Sequence, residues 1–343
     1  MGLTMNDPVV TVTMPCRDCE TTVARAMESV LGQTLGDIEV VAVDDGSRDA
    51  TGSILDEFAR RDRRVRVVHA AHGGVIAAAN TAISLACGRY VARMDADDEM
   101  LPDRLAAQAR LLDERPEVGL VGCRIRFGGD RQGSAGYARY VDWTNTLLTH
   151  EAISLNRFVE FPVPNPSIMC RHQCLADHGI YRDGDFPEDY DLLLRWLDTG
   201  VHMAKVDAEL MIWNDPPERL SRTHPRYRVE AFYRLKSDYL ARWLARHNPL
   251  HPEVHILGSG RTTRKRADML LEHGIRFAAY YDVDPRKIGH VVGGVEVRSR
   301  DAVPPPGRAF CLPYVASRGA REDIAQFLHQ RGHVLGRDYL PVA

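Results

Sequence analysis

Three acidic clusters carry the chemistry this sequence can offer. Asp95-Ala96-Asp97-Asp98 puts three carboxylates within four residues. Like charges at that spacing repel and hold on to protons unless a cation offsets them. A hard divalent ion with oxygen ligands is the fitting cation, and Mg2+ or Mn2+ in such a site also takes phosphate oxygens from a substrate. Asp98 alone has a plainer reading, because an acid ahead of Leu101-Pro102 suits a helix N-terminus. Asp44-Asp45-Gly46-Ser47 can accept a hydrogen bond from a ring imide or a ribose hydroxyl, or can build an Asx turn. Glu188-Asp189-Tyr190-Asp191 follows Phe186-Pro187 and opens a helix. A carboxylate there can act as general base toward a hydroxyl, or can simply cap the helix.

An alternation of strands and helices positions these clusters. Residues 9–14 form a β-branched apolar run stopped by Pro15, and similar runs lie at 38–43, 65–68 and 90–94. Between them, Val23, Met27, Val30 and Leu31 recur at helical spacing, as do Ile54, Leu55 and Phe58, and residues 75–86 are Ala-rich. Pro102 suits the first turn of a further helix. The pattern predicts a parallel sheet with helices on its faces, and ligands then sit at the carboxyl ends of strands. Pro15, Asp45 and Asp95 all fall there. The stretch from Gly128 to Pro166 is poorly periodic and is expected to be loops around a cleft. Residues 188–197 read as a helix stopped by Gly200, and 229–244 as a long amphipathic helix.

The composition limits the rest. A chain of 343 residues suggests about two domains. With 44% hydrophobic and 27% charged residues it is expected to be a soluble globular protein, which excludes a mainly disordered or a membrane-spanning chain. Residues 1–8 lack the features of a secretory signal. Net charge is −3, with 44 basic against 47 acidic residues, so a nucleic-acid partner is not expected. The basic residues are nearly all Arg; the lysines are Lys205, Lys236, Lys265 and Lys287. Seven cysteines spread over this length do not suggest a disulfide framework. Cys16/Cys19 and Cys170/Cys174 are far apart and lack a nearby His, so reduced thiols in a cytoplasmic protein are the expectation, with zinc disfavoured.

The combination is more specific than its parts, and it resembles the family 2 glycosyltransferases. The likeness rests on Pro15 after the first strand, Asp-Asp-Gly-Ser after the second, Asp-x-Asp-Asp after the fourth and Glu-Asp-Tyr-Asp about 90 residues later. Leu31-Gly32-Gln33-Thr34, Gly73, Asn80, Leu101-Pro102-Asp103-Arg104-Leu105, Asn165-Pro166-Ser167 and Arg219-Leu220-Ser221 extend it over roughly residues 8–225. The resemblance implies a GT-A fold of bacterial polysaccharide type. It implies an inverting transfer from a nucleoside-diphosphate sugar, with a UDP-sugar favoured, in surface glycan or glycoconjugate synthesis. By position, Pro15 and Arg17 line the base pocket, Asp45 bonds the base, Asp95 bonds the ribose, and Gly73 and Asn80 take the family's Gly and Asn places. Asp97 holds Mn2+ or Mg2+. Asp189 is the base, with Glu188 its neighbour and Asp191 structural. Where many relatives carry a metal-binding His, this chain has Pro216; His224 is either its substitute or an exposed loop histidine. Asn165 also stands where relatives often have His.

His247 to Pro252 breaks the pattern and sets an expected division into a GT-A domain at 1–247, ending in a linking helix at 226–247, and a small Rossmann-like α/β domain at 253–343. In the second domain Gly258-Ser259-Gly260 follows a strand and precedes a helix near 262–273, as a dinucleotide fingerprint does, but Thr263 stands in the third glycine's place. Asp282 and Asp284 end the next strand where a ribose contact would lie. Nicotinamide binding, another nucleotide or anion, and a structural or assembly role all remain open for this domain. So do two rival readings of the chain, a non-catalytic nucleotide-sugar-binding or scaffold protein and an NAD(P)-dependent oxidoreductase. The acceptor is expected to be a glycan, a lipid-linked or a small molecule. Helix 226–247 could bring the protein to the inner face of a membrane, and a homo-oligomer is compatible with the sequence.

Overall fold

The computed structural model describes residues 8–217 and 219–343. The opening alternation comprises β1 (Val10–Cys16), α1 (Val23–Leu31), β2 (Ile38–Asp44), α2 (Thr51–Arg61), β3 (Val65–His69), α3 (Val75–Ser84) and β4 (Tyr90–Arg93), then the short β5 (Glu99–Met100) and α4 (Arg104–Glu114). Next come β6 (Val118–Phe127), α5 (Ala135–Thr144), α6 (His150–Asn156), β7 (Met169–Arg171), α7 (His172–His178), α8 (Glu188–Asp198), β8 (His202–Trp213) and the single turn α9 (Leu220–Thr223). Among the described residues these strands form one eight-stranded sheet in the order β3-β2-β1-β4-β7-β6-β8-β5. The first four neighbours run parallel; β7 is antiparallel to both β4 and β6. Val12, Val40 and Ala92 are fully buried on adjacent strands, as expected where helices cover both faces of a parallel sheet.

The stretch expected to be loops contains α5 and α6. Helix α5 buries Ala138, Val141 and Thr144, while Tyr137 and Tyr140 pack their rings 5.7 and 5.6 Å from that of Trp213. Leu210, Met211 and Trp213 of distant β8 complete that apolar cluster, so no clean stripe shows in the local sequence.

The Leu-Gly-Gln-Thr element has a structural job. Gln33 is buried and its amide nitrogen donates to the Leu101 carbonyl at 2.9 Å, while its oxygen accepts from the Leu105 amide at 3.0 Å. The Thr34 amide donates to the Pro102 carbonyl at 2.9 Å. Together they fasten the end of α1 to the loop that follows Asp95–Asp98.

The chain divides into two compact units. One takes the chain through Ile153, Val163–Gly184 and Glu188–His224; the other takes Ser154–Pro162, Asp185–Pro187 and Pro225–Ala343. Helix α10 (Val229–His247) falls in the second unit. Its buried Trp243 faces Phe310 at 5.9 Å, and Lys236 donates to the carbonyls of Val159 and Val342. No helix among the described residues is long and apolar enough to cross a membrane.

The second unit continues with β9 (Glu253–Leu257), α11 (Arg261–Ala267), β10 (Arg276–Asp282), β11 (Val291–Val292), β12 (Val295–Ser299), β13 (Cys311–Pro313) and α12 (Ala320–Gln330). The sheet order is β11-β12-β10-β9-β13, parallel except at β11. Gly258 in the tight turn has φ 103°, and a side chain there would run into Val315. The acid expected at a ribose is engaged inside the protein. Asp282 accepts from the Ser259 amide at 3.0 Å, the Ser259 hydroxyl at 2.5 Å and Lys287 Nζ at 3.0 Å. Burial pushes the Asp282 pKa up, but the Ser259 hydroxyl, the Asp284 amide and the Lys287 ammonium outweigh it and hold the value down at about 2.

Two outcomes follow from these contacts. Gln33→Ala strands buried backbone partners and should cost about 1–3 kcal/mol in urea unfolding; an unchanged midpoint would show that the clamp is dispensable. Because Asp282 titrates lower folded than unfolded, its stabilisation is present above about pH 4 and is lost as pH falls toward 2. The melting temperature of Asp282→Asn should therefore fall less between pH 5 and 2.5 than that of the unsubstituted protein.

Candidate active site

The carboxyl end of β4 delivers the first acidic cluster. Between β1 and β7 the strand is fully paired, and past Arg93 the chain turns, with the Asp98 amide donating to the Asp95 carbonyl. Ligand oxygens of Asp95, Asp97 and Asp98 lie within 4.8 Å of one another. Burial, then the Asp95 charge, raises the Asp97 pKa; burial, then Asp97 and Asp95, raises that of Asp98 well above the carboxylate range.

Neighbouring groups fix the cluster without neutralising it. Arg93 Nη2 pairs with Asp95 Oδ1 at 2.7 Å. Arg104, fully buried behind the strand end, donates to the Arg93 carbonyl at 2.9 Å and to Gln108 at 3.1 Å. At the end of β8, the Asn214 amide donates to Asp98 Oδ1 at 2.8 Å and its side chain to the Asp97 carbonyl at 2.9 Å. Asp98 Oδ2 is buried with no hydrogen-bond partner among the described residues. An all-oxygen donor set with a stranded carboxylate oxygen fits a hard divalent cation such as Mg2+ or Mn2+. His224 is exposed at the C-terminal end of α9 and is not among the residues grouped here.

The second cluster sits where β1 and β2 end side by side, with Cys16 opposite Asp44. Asp45 is buried, and its carboxylate accepts from the amides of Gly73 at 2.7 Å and Gly74 at 3.0 Å. His72 Nδ1 lies 2.8 Å away and Arg17 Nη1 3.7 Å. Asp45 thus holds the loop into α3 as well as facing the cleft end of the sheet. Gly74 starts α3 with φ 88°, and a side chain at Gly73 would meet Ala77. Arg17, Asp45 and Gly73 therefore form one neighbourhood, while Pro15 sits one residue before the end of β1, opposite Val43. Asn80 does different work: its amide nitrogen donates to the Tyr181 carbonyl at 2.9 Å. Tyr181 also donates its hydroxyl to Asn165 Oδ1 at 2.8 Å, so both motif asparagines converge on a residue that no motif announced.

The third cluster opens α8. Glu188 is buried, and Asp191 is paired with Arg182 at 3.1 Å and Arg195 at 3.4 Å, which marks it as structural. Asp189 accepts from the Tyr190 amide at 2.7 Å. Burial, followed by the charges of Glu188 and Asp95 and only partly offset by Arg93, pushes its pKa up to about 8. Asp95, Arg93, Glu188 and Asp189 are one electrostatic group, assembled from β4 and α8. The group offers a carboxylate able to take a proton near neutral pH beside a cluster suited to a cation and phosphates.

Comparison with known proteins bears on the family and the fold. Residues 11–175 match the model of the family described as glycosyl transferase family 2. An uncharacterized glycosyltransferase of Bacillus subtilis, EpsJ, is 38% identical over 119 residues, 34% of this chain and 33% of EpsJ. This chain thus spans about a third of that relative's length. S. aureus TarS 1-349 in complex with UDP-GlcNAc superposes with a TM-score of 0.54 at 18% identity, over 77% of this chain and 70% of TarS 1-349. The mannosyltransferase PcManGT from Pyrobaculum calidifontis, in complex with GDP-Man and Mn2+, gives 0.51 at 21% identity, over 70% of this chain and 64% of its own. With the acidic clusters at the strand ends and the mixed sheet around them, the chain carries a family 2 glycosyltransferase domain of the GT-A type.

Proposed function

We propose that this protein transfers a sugar from a nucleoside-diphosphate sugar to an acceptor hydroxyl with inversion, using Asp189 as base. The acidic group joining Asp95 to Asp189 carries the reading. It sets a half-buried proton acceptor beside a donor set that suits a cation and phosphates. Asp97, with Asp95 and Asp98, would hold Mg2+ or Mn2+, which when bound supplies Lewis-acid stabilisation of the leaving diphosphate. Asp189 Oδ takes the acceptor's proton as that oxygen bonds the anomeric carbon and the bond to the diphosphate breaks. Glu188, buried beside it, raises its basicity. Arg93 orients Asp95 through the ion pair between them. Pro15, Arg17, Asp45 and Gly73 border the nucleoside. The nucleotide sugars in the TarS and PcManGT structures support this donor class, and a glycan or lipid-linked acceptor in surface glycan synthesis fits the family.

Asp97→Ala and Asp189→Asn should each lower transfer by ~100-fold or more with an unchanged melting temperature, the scale of losing a general base. Turnover close to that of the unsubstituted protein in Asp189→Asn would remove the base assignment. The base works only when deprotonated, so kcat/KM should rise with pH toward about 8, and Asp189→Asn should flatten that limb. A limb below pH 5 that survives in Asp189→Asn would contradict the assignment. A protein that binds donors yet neither transfers nor hydrolyses any of them would be a nucleotide-sugar-binding protein instead.

A further inference from the structure

The segment after β8 brings a cation to the acidic cluster. Asn214 ties this segment to the Asp97 carbonyl, Asp98 and Glu99. Five residues on, Arg219 returns to it. Its Nη1 donates to the Asn214 carbonyl at 2.9 Å, and its guanidinium lies 3.7 Å above the ring of buried Trp213. Stacking on one face and a tether on one edge fix a planar fork that has further N–H groups to offer. Among the described residues no carboxylate lies within ion-pair distance of Arg219, although its positive charge acts on both Asp97 and Asp98. The neighbouring Arg222 contrasts with it, being paired with Asp215 at 2.7 Å and stacked on Tyr137.

We infer that Arg219 binds the diphosphate of the donor and holds the charge of the leaving nucleoside diphosphate, an inference that rests on the donor reading above. Three Asp carboxylates, the Arg93 guanidinium and a divalent cation roughly cancel, so the diphosphate itself brings negative charge that the cluster cannot balance. A guanidinium fixed beside the cluster balances it and matches phosphate oxygens bidentately. Pro216, in the same segment, has no N–H to donate, and His224 lies outside the cluster. Arg219 is thus the fixed cation that this segment provides.

The test is calorimetric titration of the full chain, with Mn2+ present, against uridine and UDP and against guanosine and GDP. Arg219→Gln should weaken binding of the better diphosphate about 10- to 100-fold, the usual range for a charge-assisted hydrogen bond. The matching nucleoside should bind as before. Arg219→Lys, which keeps the charge and loses the fork, should fall between, and Arg222→Gln should lose no diphosphate selectivity. Equal diphosphate affinity in Arg219→Gln, or equal loss for nucleoside and diphosphate, would overturn the inference. The melting temperature and Mn2+ affinity of each variant separate this from misfolding, and Arg219→Lys decides the matter if Arg219→Gln does not fold. If the unsubstituted protein binds neither diphosphate, the donor reading falls, a result distinct from a binding protein indifferent to Arg219.

Discussion

Three carboxylates held within 4.8 Å of one another at the end of a buried strand are costly to assemble, and much of the first unit serves to hold them there. β4 cannot shift, because β1 and β7 pair with it on both sides. Arg93 pairs with Asp95, while Arg104 is buried behind the strand end against the Arg93 carbonyl, Gln108 and the sulfurs of Met94 and Met211. Asn214 reaches in from the far side of the sheet to Asp98. One carboxylate oxygen still lacks a partner among the described residues. Charges positioned this firmly and left under-neutralised support the proposal of a site for a cation and phosphates.

The motif residues divide into those that face the cleft and those that build it. Gln33 and Asn80 belong to the second kind: one locks the loop behind the acidic cluster, the other ties α3 to Tyr181 ahead of α8. Asp45 belongs to both, since its carboxylate receives two loop amides at the strand end. A change at such a position alters the shape of the site without removing a group that touches ligand. Motif matches therefore need the hydrogen-bond partners of each residue before a role is given to it.

How much was legible in the sequence follows from the range of the interactions. β1 to β4 are continuous apolar runs, and the acids that stop them are local signals, so the sheet's first half and the three clusters could be read directly. β8 could not, because its 12 residues alternate irregularly and carry register shifts against β6. Without β8 the contact of Asn214 with Asp97, more than 110 residues away in the chain, could not be read. Helix α5 was hidden for the same reason, since Tyr137 and Tyr140 are explained by Trp213. In the second unit the Gly-Ser-Gly turn was legible, but Asp282 turned out to be bonded to Ser259 and Lys287 in the same unit. Spacing alone cannot separate that arrangement from a ribose contact.

The account stands most directly on whether the cluster after β4 takes a divalent cation. Electron paramagnetic resonance of Mn2+ titrated into the full-length protein answers this without knowledge of donor or acceptor. The account predicts a bound Mn2+ signal that Asp97→Asn abolishes and His224→Ala leaves in place. No bound signal in the unsubstituted protein, or one that persists in Asp97→Asn and disappears in His224→Ala, would contradict it.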